Sequence, residues 1–319
     1  MAKNFLSLPG MDATLAELEL LRKKVAEKQT QGWAAIGGGV LLLIVCFAFL
    51  GQPIVGILLC VIGVVLGVII LYQISDETAL YKNRFKRDVI GAALCSINPS
   101  LTIEPQNGIT LSEFRDSQLF STTPDRYATE DLVTGKIEKT SFYFAEVHAE
   151  YKTETQTKNG RKTNWHNIFK GIIFSADFNK DFNGVTLVKP KDIGNRIGAW
   201  FSKNIFNFGD KDLINLENEY FNGNFVTYGT DQIESRYILT PSLMDKIAEL
   251  NERSSDSISV SFVNSSMYIA FPLNRNYFEA PTFKSLLKPE ALEDDMQILE
   301  FMCAIVQEMD LNTRIWTKQ

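Results

Sequence analysis

His148 and His166 are the only histidines in the chain, so any imidazole acid–base pair or imidazole metal site must be built from these two. Both fall in alternating stretches. Phe142 to Tyr151 puts Tyr143, Ala145, Val147, Ala149 and Tyr151 on one face, with Glu146, His148 and Glu150 on the other. A return run, Thr163 to Phe178, follows Asn159-Gly160, a dipeptide suited to a two-residue hairpin turn. Centring the turn there pairs Tyr151 with Ile168, Val147 with Ile172 and Ala145 with Phe174, and sets His148 opposite Gly171. His166 then lies on the other face from His148. Within this hairpin the two histidines share neither a metal nor a proton.

The other reactive groups are equally dispersed. Cys46, Cys60, Cys95 and Cys303 occur singly, without metal-ligand or disulfide spacing, and read as reduced, buried thiols. Asp177-Phe-Asn179-Lys-Asp181 opens like a calcium loop. Its sixth position is Phe182 instead of glycine and its twelfth is Val188 instead of glutamate, so a polar turn between strands is expected. Asn264-Ser265-Ser266 fits a glycosylation sequon, which has no consequence on the cytoplasmic side of a membrane. No nucleophile elbow, phosphate loop or dinucleotide fingerprint is present. No catalytic, metal-binding or cofactor-binding residue is assigned, and no cofactor is expected. One polar constellation stands out, Asp231, Glu234 and Arg236. Asp231 and Glu234 can form a capping box and Arg236 an ion pair. An enzyme would instead need the three to converge in a concave pocket.

What positions these groups is set by the least polar part of the chain. Residues 33–50 and 54–72 contain no Asp, Glu, Lys, Arg or His and are separated only by Gly51-Gln52-Pro53. Each run approaches the roughly 20 residues a helix needs to cross a bilayer. Lys3, Arg22, Lys23, Lys24 and Lys28 precede them and Lys82, Arg84, Lys86 and Arg87 follow, while the turn is uncharged. Basic flanks stay in the cytoplasm, so two spans with both termini cytoplasmic are expected. Trp33 and Tyr72 stand at headgroup level. A cleaved signal peptide would have a shorter apolar core directly behind a basic start. Transport needs polar groups within the membrane, and these spans have none, so the hairpin reads as an anchor. Gly56, Cys60, Gly63 and Gly67 place small side chains on one helix face. That face can receive Gly37, Gly38 and Gly39 of the first span, or a second copy of the protein as a homo-oligomer.

The remaining segments divide the chain into an N-terminal cytoplasmic helix (1–32), the hairpin (33–72), a connecting stalk (73–98) and a cytoplasmic domain (99–319). Leu15, Leu18, Leu21 and Val25 give the first segment a helical stripe, and Tyr81, Phe85, Val89 and Ala92 do so for Ser75–Ile97, which Pro99 ends. Further strands are expected at 184–188, 224–228, 257–263 and 266–271. Thr240-Pro241 signals a capped helix carrying Leu243, Ile247 and Leu250, and Pro289 a last helix carrying Leu292, Met296, Leu299, Cys303 and Val306. Ile193, Ile197, Trp200, Phe201, Ile205 and Phe208 lie along one face of another helix, with Arg196 and Lys203 opposite. This helix suits packing on the sheet, contact with the membrane surface or partner binding, and Trp200 and Phe201 are its candidate contact residues. Strands and helices do not alternate regularly, so the expected class is α+β with a mainly antiparallel sheet and flanking helices. The net charge of −6 gives no basic footprint for nucleic acid.

GIIFSADFNKDFNGVTLV at 171–188, ENEYFNGNFVTYGTDQIESRYILTPSLMDKI at 217–247 and SVSFVNSSMYIAF at 259–271 carry a resemblance. With the preceding hairpin, they resemble the bacterial "domain of unknown function 3137" membrane proteins over most of residues 33–280. Ser235 departs from the usual Glu-Ala-Arg pattern, a small-for-small change. The resemblance implies two spans, a cytoplasmic domain, no assigned activity and a LemA-like membrane protein as partner. The leading expectation is a non-enzymatic module tethered to the bilayer that binds a partner. The alternatives are a membrane-associated enzyme and an oligomeric membrane-disrupting effector.

Overall fold

The computed structural model describes residues 10–157, 160–178, 181–191, 211–273, 275–288 and 292–309. It divides into two compact units, residues 1–93 with 278–296, and residues 94–277 with 297–319.

The first unit is built on two long helices. Helix α1 (Met11–Ala48) continues without a break from the polar N-terminal segment into the first apolar run. After a turn at Gly51, whose φ is +61°, Pro53 starts α2 (Pro53–Gln73). This is followed by α3 (Ser75–Arg84), a wider π-helical turn (Phe85–Ile90) and α4 (Gly91–Ile97). Both α1 and the Pro53–Ile97 helix are long and apolar enough to cross a membrane.

Their contact is a seam with a seven-residue repeat. Besides Glu19, the buried positions of α1 are Met11, Leu15, Leu18, Arg22, Val25, Gly32, Gly39 and Cys46. The spacing alternates between four and three or skips to seven, the repeat that keeps one helix face on its partner. The facing seam runs through Gly56, Gly67, Ile74, Tyr81 and Phe85. Arg22 takes the place expected of Leu21, because the seam, and not local hydrophobicity, decides which side chain turns inward. At the π turn one extra residue per turn rotates the helix. The buried face therefore passes from the expected Val89 and Ala92 to Val89, Ile90, Ala93 and Leu94.

A polar network fixes the chain segment after Tyr277 to these helices. The buried Glu19 and Arg22 form a two-hydrogen-bond ion pair, both at 2.8 Å. Glu19 also accepts the Leu286 N–H at 3.0 Å, and Arg22 donates to the Thr282 carbonyl at 2.7 Å. Tyr81 donates to the Pro281 carbonyl, and Glu279 receives both Lys82 and the buried Lys86.

The second unit is an antiparallel sheet with flanking helices, so its class is α+β. Its strands are β1 (Thr102–Glu104), β2 (Arg126–Ile137), β3 (Thr140–Thr157), β4 (Gly160–Asp177), β5 (Val185–Pro190), β6 (Asp212–Ile214), β7 (Phe225–Gly229), β8 (Ser259–Val263) and β9 (Ser266–Pro272). Their order is β1-β2-β3-β4-β9-β8-β5-β7-β6. The helices are α5 (Leu111–Asp116), α6 (Glu219–Asn224), α7 (Gln232–Ile238), α8 (Pro241–Arg253) and α9 (Glu293–Glu308). On one sheet face, Phe114, Leu119 and Phe120 pack with Ala145, Val147, Ala149, Phe169 and Ile173. On the other, Phe144, Ile172, Phe174, Ile269 and Phe271 are also buried, and Phe301 of α9 meets Phe271 edge-on. Thr240 caps α8 through the Leu243 N–H with Pro241 at its start, and the stripes expected on α8 and α9 are buried. Helix α9 begins at Glu293; the expected start at Pro289 lies outside the described residues.

The central hairpin corrects the expected register. Thr157 pairs with Gly160, a register incompatible with a turn centred on Asn159-Gly160. Tyr151 faces His166, and after a bulge that leaves Ile168 unpaired, Ala149 faces Phe169, Val147 faces Gly171 and Ala145 faces Ile173. The reason is burial on both faces. Ile172-Ile173-Phe174 is apolar throughout, so the alternation that normally penalises a one-residue slip is missing. Gly171 is needed where it is: a Cβ there would lie 2.0 Å from the Phe271 carbonyl oxygen of β9.

Candidate functional site

The hairpin glycines are used within the chain. A Cβ on Gly63 would meet the Ala35 carbonyl at 2.8 Å, and one on Gly67 the Gly32 carbonyl at 2.6 Å. Gly56 lies against Cys46 and Leu43, while the Cys60 backbone backs onto Gly39. Of the three glycines expected to receive this face, only Gly39 does so; Gly37 and Gly38 have nothing within 4 Å, and Gly32 and Ala35 complete the contact. The seven-residue repeat explains the choice, since Gly32, Gly39 and Cys46 share a face that Gly37 and Gly38 do not.

Asp231, Glu234 and Arg236 take separate partners. The Asp231 carboxylate caps α7 by accepting the N–H groups of Ile233 at 2.8 Å and Glu234 at 3.0 Å. Glu234 has a long-range role as well. Its carboxylate crosses to the turn before β5 and accepts the N–H groups of Asn183 at 3.1 Å and Gly184 at 2.8 Å. Arg236 is exposed and donates to the Asn215 carbonyl at 3.4 Å. Ser235, the family departure, is buried and hydrogen-bonded to Thr186 at 2.8 Å. Trp200, Phe201 and the rest of the 193–208 stretch lie outside the described residues.

The histidines stay apart even in the corrected register. His148 shares a hydrogen bond with the Asn167 side-chain oxygen at 2.9 Å, and His166 with the Thr153 hydroxyl at 2.8 Å. The calcium-like turn is held by its phenylalanines: Phe178 and Phe182 are buried and pack on Phe262. Among the described cysteines none forms a disulfide, and Cys95 is exposed, contrary to the expected burial. Burial pushes the Cys303 thiol up to about 12.

Two features escaped the sequence reading. The first is a buried cation. Lys189 of β5 is 4% exposed, lies 4.9 Å from the Phe120 ring centroid and donates to the Leu119 carbonyl. Burial pushes its ammonium down to about 7.

The second is a charged cleft of about 340 Å³ on the sheet face that carries Glu146 and His148. Its floor pairs Glu130 with Glu146 in one cross-strand row and Ala128, His148 and Lys170 in the next, while Arg275 lies beyond the end of β9 and walls it. A bulge between Glu130 and Val133 turns Asp131, at φ +59°, so that its side chain is fully buried beside the acidic row. One carboxylate oxygen from each of Glu130, Asp131 and Glu146 lies within 4.8 Å of the other two, a spacing at which three oxygens can hold a cation. Glu146 also accepts the Tyr277 N–H at 2.5 Å, and the Arg275 guanidinium lies 4.4 Å from the Tyr277 ring centroid. The alternation around His148 was the available signal. The contribution of β2 and of the Arg275 loop needed the fold.

Residues 167–311 match the family described as Protein of unknown function (DUF3137). This segment belongs to the DUF3137 family. It opens in β4, contains all three sequence blocks quoted above, and includes Lys170 and Arg275 of the cleft; the helical hairpin lies before it. No curated protein matches the chain. Among solved structures, the mycobacterial trehalose monomycolate transport factor A, TtfA, is similar at 13% identity, with 74% of this chain and 96% of that one covered and a TM-score of 0.41. A likeness of that depth assigns nothing to this chain.

Proposed function

We propose that the protein is a two-span anchor in a bacterial inner membrane, with both termini cytoplasmic, and that its sheet domain is a binding module for a partner protein. The observation that carries the membrane placement is the outer surface of the hairpin. Leu41, Ile44, Phe47, Ile54, Leu58, Val61, Val65 and Ile69 are all exposed, while the small-residue face is occupied by the other helix. An apolar belt of this extent is suited to hydrocarbon. Trp33 and Tyr72, both exposed, suit the headgroup level, and the basic flanks favour the cytoplasm for both ends.

Binding is favoured over catalysis by the separate partners of Asp231, Glu234 and Arg236 and by the shape of the central hairpin. Pairing of β3 with β2 stops at Glu150, and pairing of β4 with β9 starts at Gly171. Beyond these limits the ribbon continues to Thr157 and Gly160 with no third strand among the described residues. Open strand edges are templates for strand addition by a partner chain. Lys152 and Arg161 are exposed along this ribbon.

The tests separate anchor from partner. In a Cys95→Ser background, a Gln52→Cys variant should react with a membrane-impermeant maleimide on intact cells, and a Lys28→Cys variant only after lysis. The reverse pattern overturns the topology. Affinity purification from native membranes should recover a protein that is lost when residues 154–163 are replaced by a short turn. An unchanged set of co-purifying proteins overturns the ribbon as its docking site.

A further inference from the structure

The two edges of the central ribbon are not equivalent. The Asp125 carboxylate accepts the Lys152 N–H at 2.8 Å, and the Asp125 N–H donates to the Glu150 carbonyl at 2.8 Å. Glu150 and Lys152 thus turn their backbone groups toward β2. In an antiparallel ladder the residues directly opposite such positions turn theirs the other way. Those residues are Asn167 and Trp165, and Thr163 and Arg161 continue the series opposite Glu154 and Gln156. Their N–H and C=O groups therefore point outward from β4. On the β3 side, Asp125 closes the edge as far as Lys152.

Strand β9 is the neighbour of β4 in the body of the sheet, but it ends at Pro272. Leu273 adds one bond, to the Lys170 carbonyl at 3.0 Å, and by Tyr277 the chain has crossed to Glu146 of β3. Among the described residues no strand covers β4 from Arg161 to Asn167. This edge is about 20 Å long, the length of an ordinary strand. Arg161, Lys162, Thr163, Trp165 and Asn167 are all exposed along it.

Charge selects the occupant. Between Glu150 and Asn167 the chain carries Lys152, Lys158, Arg161 and Lys162 against Glu150 and Glu154, a positive stretch in a protein of net charge −6. Both glutamates stand on β3, where Glu150 pairs with Arg126 and Glu154 with Lys152 and Arg161. From Gly160 to Ala176, β4 has no Asp or Glu. A second copy paired edge to edge would bring two positive strands together, and like charges across strands are destabilising. An acidic strand meets opposite charge while its backbone takes up the outward N–H and C=O groups. We propose that an extended acidic segment of a partner protein adds as a strand to the β4 edge at Arg161–Asn167. This deepens the reading of the sheet domain as a binding module and rests on the ribbon being its docking site.

The test is fluorescence anisotropy on the full chain in phosphatidylcholine nanodiscs, with two labelled synthetic peptides of about ten residues. One alternates glutamate with valine and threonine; the other has lysine in place of glutamate. The acidic peptide should bind more tightly than the basic one, by about tenfold or more. Thr163→Pro removes an outward N–H and sets a ring on the β4 edge, so it should weaken that binding by about tenfold or more. Gln156→Pro does the same to the β3 edge and should change it by less than about twofold. Lys162→Glu leaves the backbone intact, which keeps the test valid if a proline variant unfolds, and should weaken binding by about threefold or more. Equal binding of the two peptides, failure of the acidic one to bind, or binding that survives Thr163→Pro in the folded protein overturns the proposal. So does a particle mass in detergent that halves in Thr163→Pro, which would give the edge to a second copy. None of these results decides whether a native protein is lost with residues 154–163, so the affinity experiment tests the docking reading separately.

Discussion

Gly39 and Gly63 meet across the helical hairpin so closely that a Cβ on Gly63 would lie 2.9 Å from the Gly39 Cα and 2.8 Å from the Ala35 carbonyl oxygen. Both obstacles are backbone, which cannot rotate away. Gly63→Leu should therefore separate the helices and cost about 2 kcal/mol or more. Gly38→Ala, with nothing within 4 Å of the added carbon, should be neutral or gain about 0.5 kcal/mol by helix propensity. Denaturant unfolding in detergent micelles distinguishes the two. Equal effects would mean that the Gly39–Gly63 contact does not hold the hairpin together.

Glu234 ties α7 to the turn before β5 through Asn183 and Gly184. Glu234→Ala should lower stability by about 1–2 kcal/mol, and Asp231→Ala by about 1 kcal/mol through the lost cap. Arg236→Ala should stay within about 0.5 kcal/mol, as an exposed side chain with one long hydrogen bond. Amide exchange at Asn183 and Gly184 should accelerate only in the Glu234 variant.

The Glu19–Arg22 pair predicts an acid limb to the stability of the first unit. The hydrogen bond from Arg22, together with the Leu286 N–H, holds the Glu19 carboxyl down at about 2. The unfolded value is about 4.3. The contribution is therefore complete above that unfolded value and is lost as pH falls through the range toward the folded one. Glu19→Gln should cost about 3 kcal/mol at pH 7, because it leaves the Arg22 charge buried without its partner. Thermal melts from pH 7 to pH 3 should converge for the two proteins. Parallel curves would remove this pair from the acid response.

Lys189 works in the opposite direction. Its folded value near 7 lies below the roughly 10.4 of an unfolded lysine, so between these limits the unfolded chain binds more protons and stability rises with pH. Lys189→Met removes the buried cation and should stabilise by about 1–4 kcal/mol at pH 6, with the gain shrinking toward pH 10. A gain independent of pH would point to packing as its source.

Much of this architecture was legible in the chain. The two uncharged runs, the Thr240-Pro241 start and the Leu292–Val306 stripe each depend on neighbours within a few residues, and those elements formed as expected. The Asp231 cap likewise needs only local backbone N–H groups. The bond from Glu234 to the Gly184 N–H, 50 residues away in sequence, had no local signal. The expected hairpin register failed. With both faces of Ile172-Ile173-Phe174 buried, alternation could not choose between neighbouring registers, and the bulge at Ile168 chose.

The sequence by itself determined the hairpin, its basic flanks, the α+β class and the DUF3137 resemblance, because hydropathy, periodicity and capping act over one or a few turns. Tertiary structure alone decided that the glycine face is filled by Gly32, Ala35 and Gly39, that Lys189 is buried against Phe120, that Glu130, Glu146, Lys170 and Arg275 line one cleft, and that Asp131 lies beside its acidic pair. Each of these depends on which distant strand or helix lies alongside. Pairing partners and burial on folding set that, and no local pattern encodes it.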